Sequence, residues 1–398
     1  MKFGLMFNKE PVWSETFLRT QVERMDAAPV YLDGMGFPSG DWVDPVRGML
    51  LGRRFSSCLV NYGTVGAWLA PLLIETTTPY VVHFHGFDAH RKTGLEEVHK
   101  RYPLMLEAAA EVVVVSSKMR EALLKWGVEE KRIRLNPYGV PPVPEELAGE
   151  GERDPNLVLA VGRFVEKKAP YLVLAAFLEV WMARPESRLR WIGDGELRGV
   201  CEALVKGWGM GKVVDFQGVR SREEILQSMR EAAVFVQHSV TAESGDMEGT
   251  PNTILEAATM RCPIVATRHA GIADVVPDES YGRLVEEFDV AGMALALEET
   301  LRLTDEAVKR AVCLRNRVMS EYGEERYLAG LRASLEAAAA RGPLSESLLK
   351  RAAEAMPVTR KKERDLRPTG PKVGVVRVPK QFGFKQRLRI LFTGRWRD

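Results

Sequence analysis

Two series of short apolar runs, each run separated from the next by a helix-length segment, dominate this chain and constrain its fold more than any other feature. The first series contains KFGLMF (2–7), SCLVNY (57–62), YVVHFH (80–85) and EVVVVS (111–116). Their hydrophobicity is continuous and does not alternate, which predicts parallel strands covered on both faces. Helical patterns lie between them at 14–25, 64–75, 95–110 and 117–126. Strands alternating with helices indicate βαβ units and a doubly wound α/β domain. The stretch NPYGVPPVPEELAGEGERDPN (136–156), crowded with Pro, Gly and charge, interrupts the rhythm and reads as a linker. The rhythm then restarts. NLVLAVG (156–162), RLRWIG (188–193), KVVDFQG (212–218), AAVFVQH (232–238) and PIVAT (263–267) read as strands, with helices at about 169–183, 196–208, 221–231 and 251–261 and further ones after 289. The expectation is therefore two Rossmann-like domains, 1–145 and 146–321, facing each other across a cleft. A helix over 322–340 returns toward the first domain, and residues 341–398 form an extension. Open α/β sheets bind ligands at the carboxyl ends of their strands, so the loops after those strands are where chemistry is sought.

With 398 residues, 45% hydrophobic and 28% charged, the composition is that of a globular two-domain protein and excludes fibrous and disordered classes. No apolar run reaches the roughly twenty residues of a membrane span, and MKFGLMFNKE reads as a first strand in place of a secretory signal. Cys58, Cys201, Cys262 and Cys313 are far apart, without a C-x-x-C pair, which points to free thiols in a reducing cytoplasm. The net charge of +2 hides an uneven distribution. From Arg341 onward there are sixteen Lys/Arg against five Asp/Glu, a basic extension on an acidic body.

The segment GDMEGTPNTILEAA (245–258) sets Glu248 and Glu256 on either side of a turn that opens a helix. Pro251 suits the first helical position and Thr250 the N-cap. The free N–H groups of residues 250–253, Asn252 among them, would then make an anion cradle. A ligand with phosphates flanked by hydroxyls, such as a nucleotide sugar, would satisfy the cradle and both carboxylates. Spacing alone fits equally well with Glu248 as a solvated loop charge and Glu256 as a helix-surface residue. In GRFVEKKAP (162–170), Arg163 and Lys168 follow a strand and could neutralise a diphosphate without a metal. On that reading Lys168→Ala lowers turnover with little loss of folding. WIGDGELRG (191–199) is a second Gly-rich turn, in which Gly193 would let backbone approach a ligand. In HFHGFDAHR (83–91), strand alternation puts His83 and His85 on one face, and His90 follows soon after. No Cys or Glu completes a familiar metal-ligand spacing. The preferred arrangement buries His83 and points His85 and Asp88 at a sugar.

These segments, taken in order, resemble the family 4 retaining glycosyltransferases of GT-B fold, in particular those of colanic acid and other exopolysaccharide or lipopolysaccharide assembly. The resemblance covers about 2–340 and rests on Glu248-x7-Glu256 with GDMEGTP, on VGRFVEKKAP, WIGDGEL, VDFQGVRSREEI, HAGIADVV (269–276) and HGFD (85–88), and on SETF (14–17). It implies that Arg163 and Lys168 hold the donor diphosphate, that Glu248 meets the transferred sugar and that Glu256 takes the ribose hydroxyls. It further implies Gly249, Thr250 and Pro251 as the turn around the phosphates, Gln217 and Gly218 beside the base, and His85 beside the sugar. Ser14 and Glu15 would reach the donor from the first domain. Ala169 replaces the glycine usual after the lysine, a mild change if φ is negative there. The resemblance implies no cofactor beyond a UDP- or GDP-linked donor, no metal and no nucleic acid, with a lipid-linked glycan as acceptor. A GT-B sugar-nucleotide epimerase and an inactive GT-B binding or scaffold protein are the rival readings.

In the extension, FKQRLRILF (384–392) aligns Phe384, Leu388, Leu391 and Phe392 on one stripe beside Lys385 and Arg389. Such a helix suits either an anionic membrane surface, at the inner face of the cell membrane, or a site on the protein itself.

Overall fold

The computed structural model describes residues 1–12, 15–32, 40–147, 152–302 and 305–357. The chain falls into two compact units. One comprises Met1–His83, Glu97–Val112 and Arg332–Asp398, the other Phe84–Glu96 and Val113–Leu331.

The first sheet is formed by β1 (Phe3–Phe7), β2 (Ala27–Tyr31), β3 (Ser57–Asn61), β4 (Tyr80–His83), β5 (Glu111–Val114) and β6 (Ile133–Leu135), in the order β2-β1-β3-β4-β5-β6. Between these strands run α1 (Thr16–Arg24), α2 (Val43–Arg53), α3 (Gly63–Glu75), α4 (Phe87–His90), α5 (Glu96–His99) and α6 (Tyr102–Ala108). The expected helix over 95–110 is two short ones, broken ahead of Pro103, whose ring suits the first turn of α6. β2 carries Pro29, an edge-strand residue, and was not anticipated because AAPVY is short and weakly apolar.

After α7 (Ser117–Lys125), the second sheet is built from β7 (Asp154–Val161), β8 (Arg188–Ile192), β9 (Val214–Gly218), β10 (Ala232–Gln237), β11 (Ile264–Thr267) and β12 (Arg283–Val285). Its order is β12-β11-β10-β7-β8-β9, with parallel pairing throughout. The helices are α8 (Pro170–Ala183), α9 (Arg198–Gly207), α10 (Arg222–Glu231), α11 (Asn252–Thr259), α12 (Ala270–Val275), α13 (Val290–Leu301), α14 (Asp305–Glu321) and α15 (Glu324–Ala339). Strand alternation explains the continuous apolar reading of β7. Leu157, Leu159 and Val161 join a core with Leu226, Ile254 and Ile272, while Val158 and Ala160 join another with Val173, Phe177 and Leu297.

In this sheet the strand order reverses between β7 and β10, so the loops leaving the ends of these two strands meet where doubly wound sheets take ligands. Residues 341–357 are not featureless. Ser345 caps α16 (Glu346–Ala355), and Arg351 of that helix pairs with Glu107 at 2.6 Å within the first unit. The stripe at Phe384–Phe392 lies outside the described residues. Among the described residues, no helix is long and apolar enough to cross a membrane.

Candidate functional site

The loop after β7 turns back through a 3-10 segment, Glu166–Lys168, and Ala169 then enters α8 with φ 36° and ψ 54°. The mild-substitution expectation for Ala169 therefore does not hold. The position is left-handed, where a Cβ is disfavoured and glycine is the natural occupant. The turn points Lys168 inward. Its Nζ lies 3.2 Å from Glu248 Oε1, and both side chains are largely buried. The approach makes an ion pair but is too poorly aligned for a hydrogen bond, so Glu248 Oε1 has no aligned donor. Burial pushes the Glu248 carboxyl up, but Lys168, Lys167 and His269 together outweigh it and hold the group down at about 2. Burial lowers Lys168, and the charges of Lys167 and Arg163 add to that against the pull of Glu248. Arg163 is thus close enough to be felt by Lys168. It is itself exposed and has no ion-pair partner among the described residues.

Lys167 is tied down by Asp246 Oδ1 and the Met247 carbonyl, each at 3.2 Å. The loop after β10 is held at further points. The Lys92 N–H donates to the Ser244 carbonyl. Thr250 donates its hydroxyl to the Val115 carbonyl at 2.7 Å and accepts the Tyr138 N–H at 3.1 Å. Thr250 is therefore a cross-link and not the helix cap. α11 starts one residue later than expected, with Pro251 in the cap position and Asn252 first in the helix. Gly271, at the start of α12, lies so close to this loop that a Cβ there would fall on the Gly249 carbonyl oxygen.

Glu256 sits on the second turn of α11, where burial raises its carboxyl against the opposing pull of Arg222, whose Nε is 3.4 Å away. Arg222 also donates to the Pro141 carbonyl at 3.1 Å. Gly193 serves a different contact from the one expected. Its φ of 142° lets the β8 turn lie flat on the β7 turn, where a Cβ would overlap the Gly162 carbonyl, so its close approach is to backbone. The Gly193 N–H donates to the Gly218 carbonyl, and the Gln217 amide donates to Asp215 at 2.9 Å.

His85 Nδ1 is 2.7 Å from the Tyr138 hydroxyl, and the two rings stack. Asp88 departs from the expectation that it points at a sugar. It is fully buried, and its Oδ1 accepts the N–H groups of both His85 and Gly86, closing the turn from inside. His83 is buried within the first unit, and burial takes its ring down to about 3. Among the described residues no group of His, Cys, Asp or Glu is placed to hold a metal ion. In the first unit, Glu15 accepts the Tyr62 hydroxyl at 2.9 Å and the Val12 N–H at 3.0 Å. Ser14 lies outside the described residues.

The structure thus brings Arg163, Lys168 and Glu248 together at the switch point and engages Glu256 with Arg222. Lys167, Asp246 and Arg222 escaped the sequence reading because each is an ordinary surface-type residue until its partner is known. Nothing local marks Arg222.

Two doubly wound domains in one chain, the second with cations and a carboxylate gathered at its switch point, define the GT-B class of protein. Two family models match, "Glycosyl transferase 4-like domain" over residues 11–139 and "Glycosyl transferases group 1" over residues 155–302, so the chain carries both of these glycosyltransferase domains. It is 27% identical over 270 residues to the amylovoran biosynthesis glycosyltransferase AmsK of Erwinia amylovora, covering 67% of this chain and 66% of AmsK. It is 28% identical over 251 residues to the putative colanic acid biosynthesis glycosyltransferase WcaL of Escherichia coli strain K12, covering 61% of this chain and 60% of WcaL. The match thus spans two thirds or less of these relatives. The fold is similar to that of Anabaena HepE in complex with UDP-glucose, with a TM-score of 0.69 at 17% identity over 84% of this chain and 99% of HepE.

Proposed function

We propose that the chain is a retaining, metal-independent glycosyltransferase. It moves a sugar from a UDP- or GDP-linked donor to a glycan acceptor, itself lipid-linked, in the assembly of a cell-surface polysaccharide on the cytoplasmic side of the membrane. One observation carries this reading: an exposed, unpaired Arg163 beside a buried Lys168 that is already paired with an ionised Glu248 at the strand-order switch. The names of AmsK and WcaL, and the UDP-glucose bound by HepE, support the same substrate class.

Arg163 and Lys168 would take the donor diphosphate, supplying fixed positive charge where negative charge grows as the bond from the anomeric carbon to the phosphate oxygen breaks. With Lys168 engaged by the phosphate, the Glu248 carboxylate is released to accept hydroxyls of the transferred sugar. Gly249, Thr250, Pro251 and Asn252 would present the helix start to the phosphates. Glu256 would exchange Arg222 for the ribose hydroxyls, Gln217 and Gly218 would border the base, and His85 the sugar. The acceptor hydroxyl attacks the anomeric carbon on the face the leaving group departs from, and its proton passes to the leaving phosphate oxygen. Side chains position and stabilise; none needs to act as a base.

The test is a melting screen against UDP-, GDP- and ADP-sugars, followed by a transfer assay. A true donor raises the melting temperature, because it binds only the folded chain. Arg163→Ala, at an exposed and unpaired position, is expected to melt like the parent and to lose about 100-fold or more in turnover. Near-normal transfer by that variant would remove the cation site from the reaction.

A further inference from the structure

His269 follows β11 and is 1% exposed, yet both of its ring nitrogens are engaged. The Glu248 backbone N–H donates to Nε2 at 3.2 Å, and Nδ1 lies 2.5 Å from Glu287 Oε1. A nitrogen that accepts an N–H must offer a lone pair, so the network assigns the ring proton to Nδ1, which donates it to Glu287. Glu287 is fixed from its other side by Thr241, whose N–H donates to Oε2 at 2.9 Å and whose hydroxyl approaches Oε1 at 3.4 Å. Thr241 and Glu248 both belong to the loop after β10. The pair Glu287–His269 therefore reaches from loops after β12 and β11 to staple that loop at two points seven residues apart in the chain. Neither ring nitrogen is left for a substrate, and the ring has almost no exposed surface. His269 can orient a neighbour but cannot exchange protons with a bound sugar.

We propose that Glu287 and His269 form the positioning relay of this site. They fix the main chain of Glu248, and with it the direction from which its carboxylate meets the transferred sugar. The proposal rests on the reading of Glu248 as the sugar-facing carboxylate. The relay acts through geometry: the cations that grip the diphosphate lie on the β7 loop, outside the segment the relay staples, whereas a misdirected Glu248 penalises the chemical step.

His269→Ala, His269→Gln and Glu287→Gln in the full chain test this. His269→Ala is expected to lower kcat by about 10- to 100-fold with donor KM changed less than about threefold. His269→Gln places an amide oxygen near the Nε2 position, where it can accept the Glu248 N–H, and is expected to recover most of that loss. Glu287→Gln should fall between them. A rise in donor KM with kcat unchanged would overturn the relay, as would a His269→Gln variant that melts like the parent and is no more active than His269→Ala. Nitrogen NMR of histidine-labelled protein reads the relay without any activity. Protonation of His269 on Nδ1 is expected, and a ring protonated on Nε2 overturns the proposal. A wild-type chain that shows the Nδ1 proton but transfers no sugar from any donor refutes the glycosyltransferase reading and leaves the hydrogen-bond relay standing.

Discussion

Replacing Lys168 with methionine keeps the length of the side chain and removes its charge, leaving Glu248 in its buried position without its nearest counter-ion. The folded protein holds that carboxyl at about 2, against an ordinary value of 4.5. A difference of that size corresponds to about 3 kcal/mol of folding free energy when the group is ionised. Because the folded value is depressed, this contribution is complete above the unfolded value and is lost as pH falls through about 2. Without Lys168, burial works against the carboxylate with Lys167 as the remaining lysine to oppose it, and the folded value returns toward or beyond the ordinary one. At pH 7 the variant should therefore lose about 2–3 kcal/mol, the lower end reflecting that Lys168 no longer bears its own cost of burial. At pH 3 the parent has already forfeited most of its advantage, and the deficit should shrink to about 1 kcal/mol. Urea unfolding of both proteins by intrinsic fluorescence at the two pH values measures this, and a Lys168→Met, Glu248→Gln double variant should regain most of the loss at pH 7. A deficit equal at both pH values, or singles that simply add, would refute the argument. Lys168→Ala carries the same stability cost, so the sequence-based expectation of little loss of folding gives way to one in which transfer and stability fall together.

Two further outcomes follow from the packing. Arg153 donates to the carbonyls of Met229, Arg230 and Ala232 through Nη1 and of Met260 and Arg261 through Nη2, tying together the C-terminal ends of α10 and α11. Arg153→Ala should cost about 2–4 kcal/mol in chemical unfolding, and Arg153→Lys should not rescue it, since one ammonium cannot span both sets of carbonyls. Gly271→Ala drives a methyl onto the Gly249 carbonyl and should reduce sugar transfer by about tenfold or more, whereas Gly211→Ala, with open space around it, should leave transfer unchanged.

How much of this was written locally is clear from particular elements. Strands such as Glu111–Val114 and helices such as Arg222–Glu231 are legible because burial on both sheet faces leaves an unbroken apolar run, and burial on one helix face leaves a period; both are properties of neighbouring residues. The short edge strand Arg283–Val285 and the six-residue helix Ala270–Val275 are too brief to carry either signal. The charged positions of the site were legible as residue types in loops after strands: Arg163, Lys168, Glu248 and Glu256. Their partners were not. Lys168 meets Glu248, eighty positions on, because β10 hydrogen-bonds beside β7 while two strands and three helices intervene in the chain. Asp88 read as a ligand contact until the turn closed over it, Ala169 read as a mild change until its φ proved positive, and His269 was one letter of a motif until Glu287 and the Glu248 N–H took its two nitrogens. The sequence by itself determined the alternation of strands and helices and the kinds of charge available at the strand ends. Strand order alone decided which of those charges neutralise each other and which, like Arg163, stay unpaired among the described residues, because pairing energies depend on distances that only the long crossover connections bring within reach.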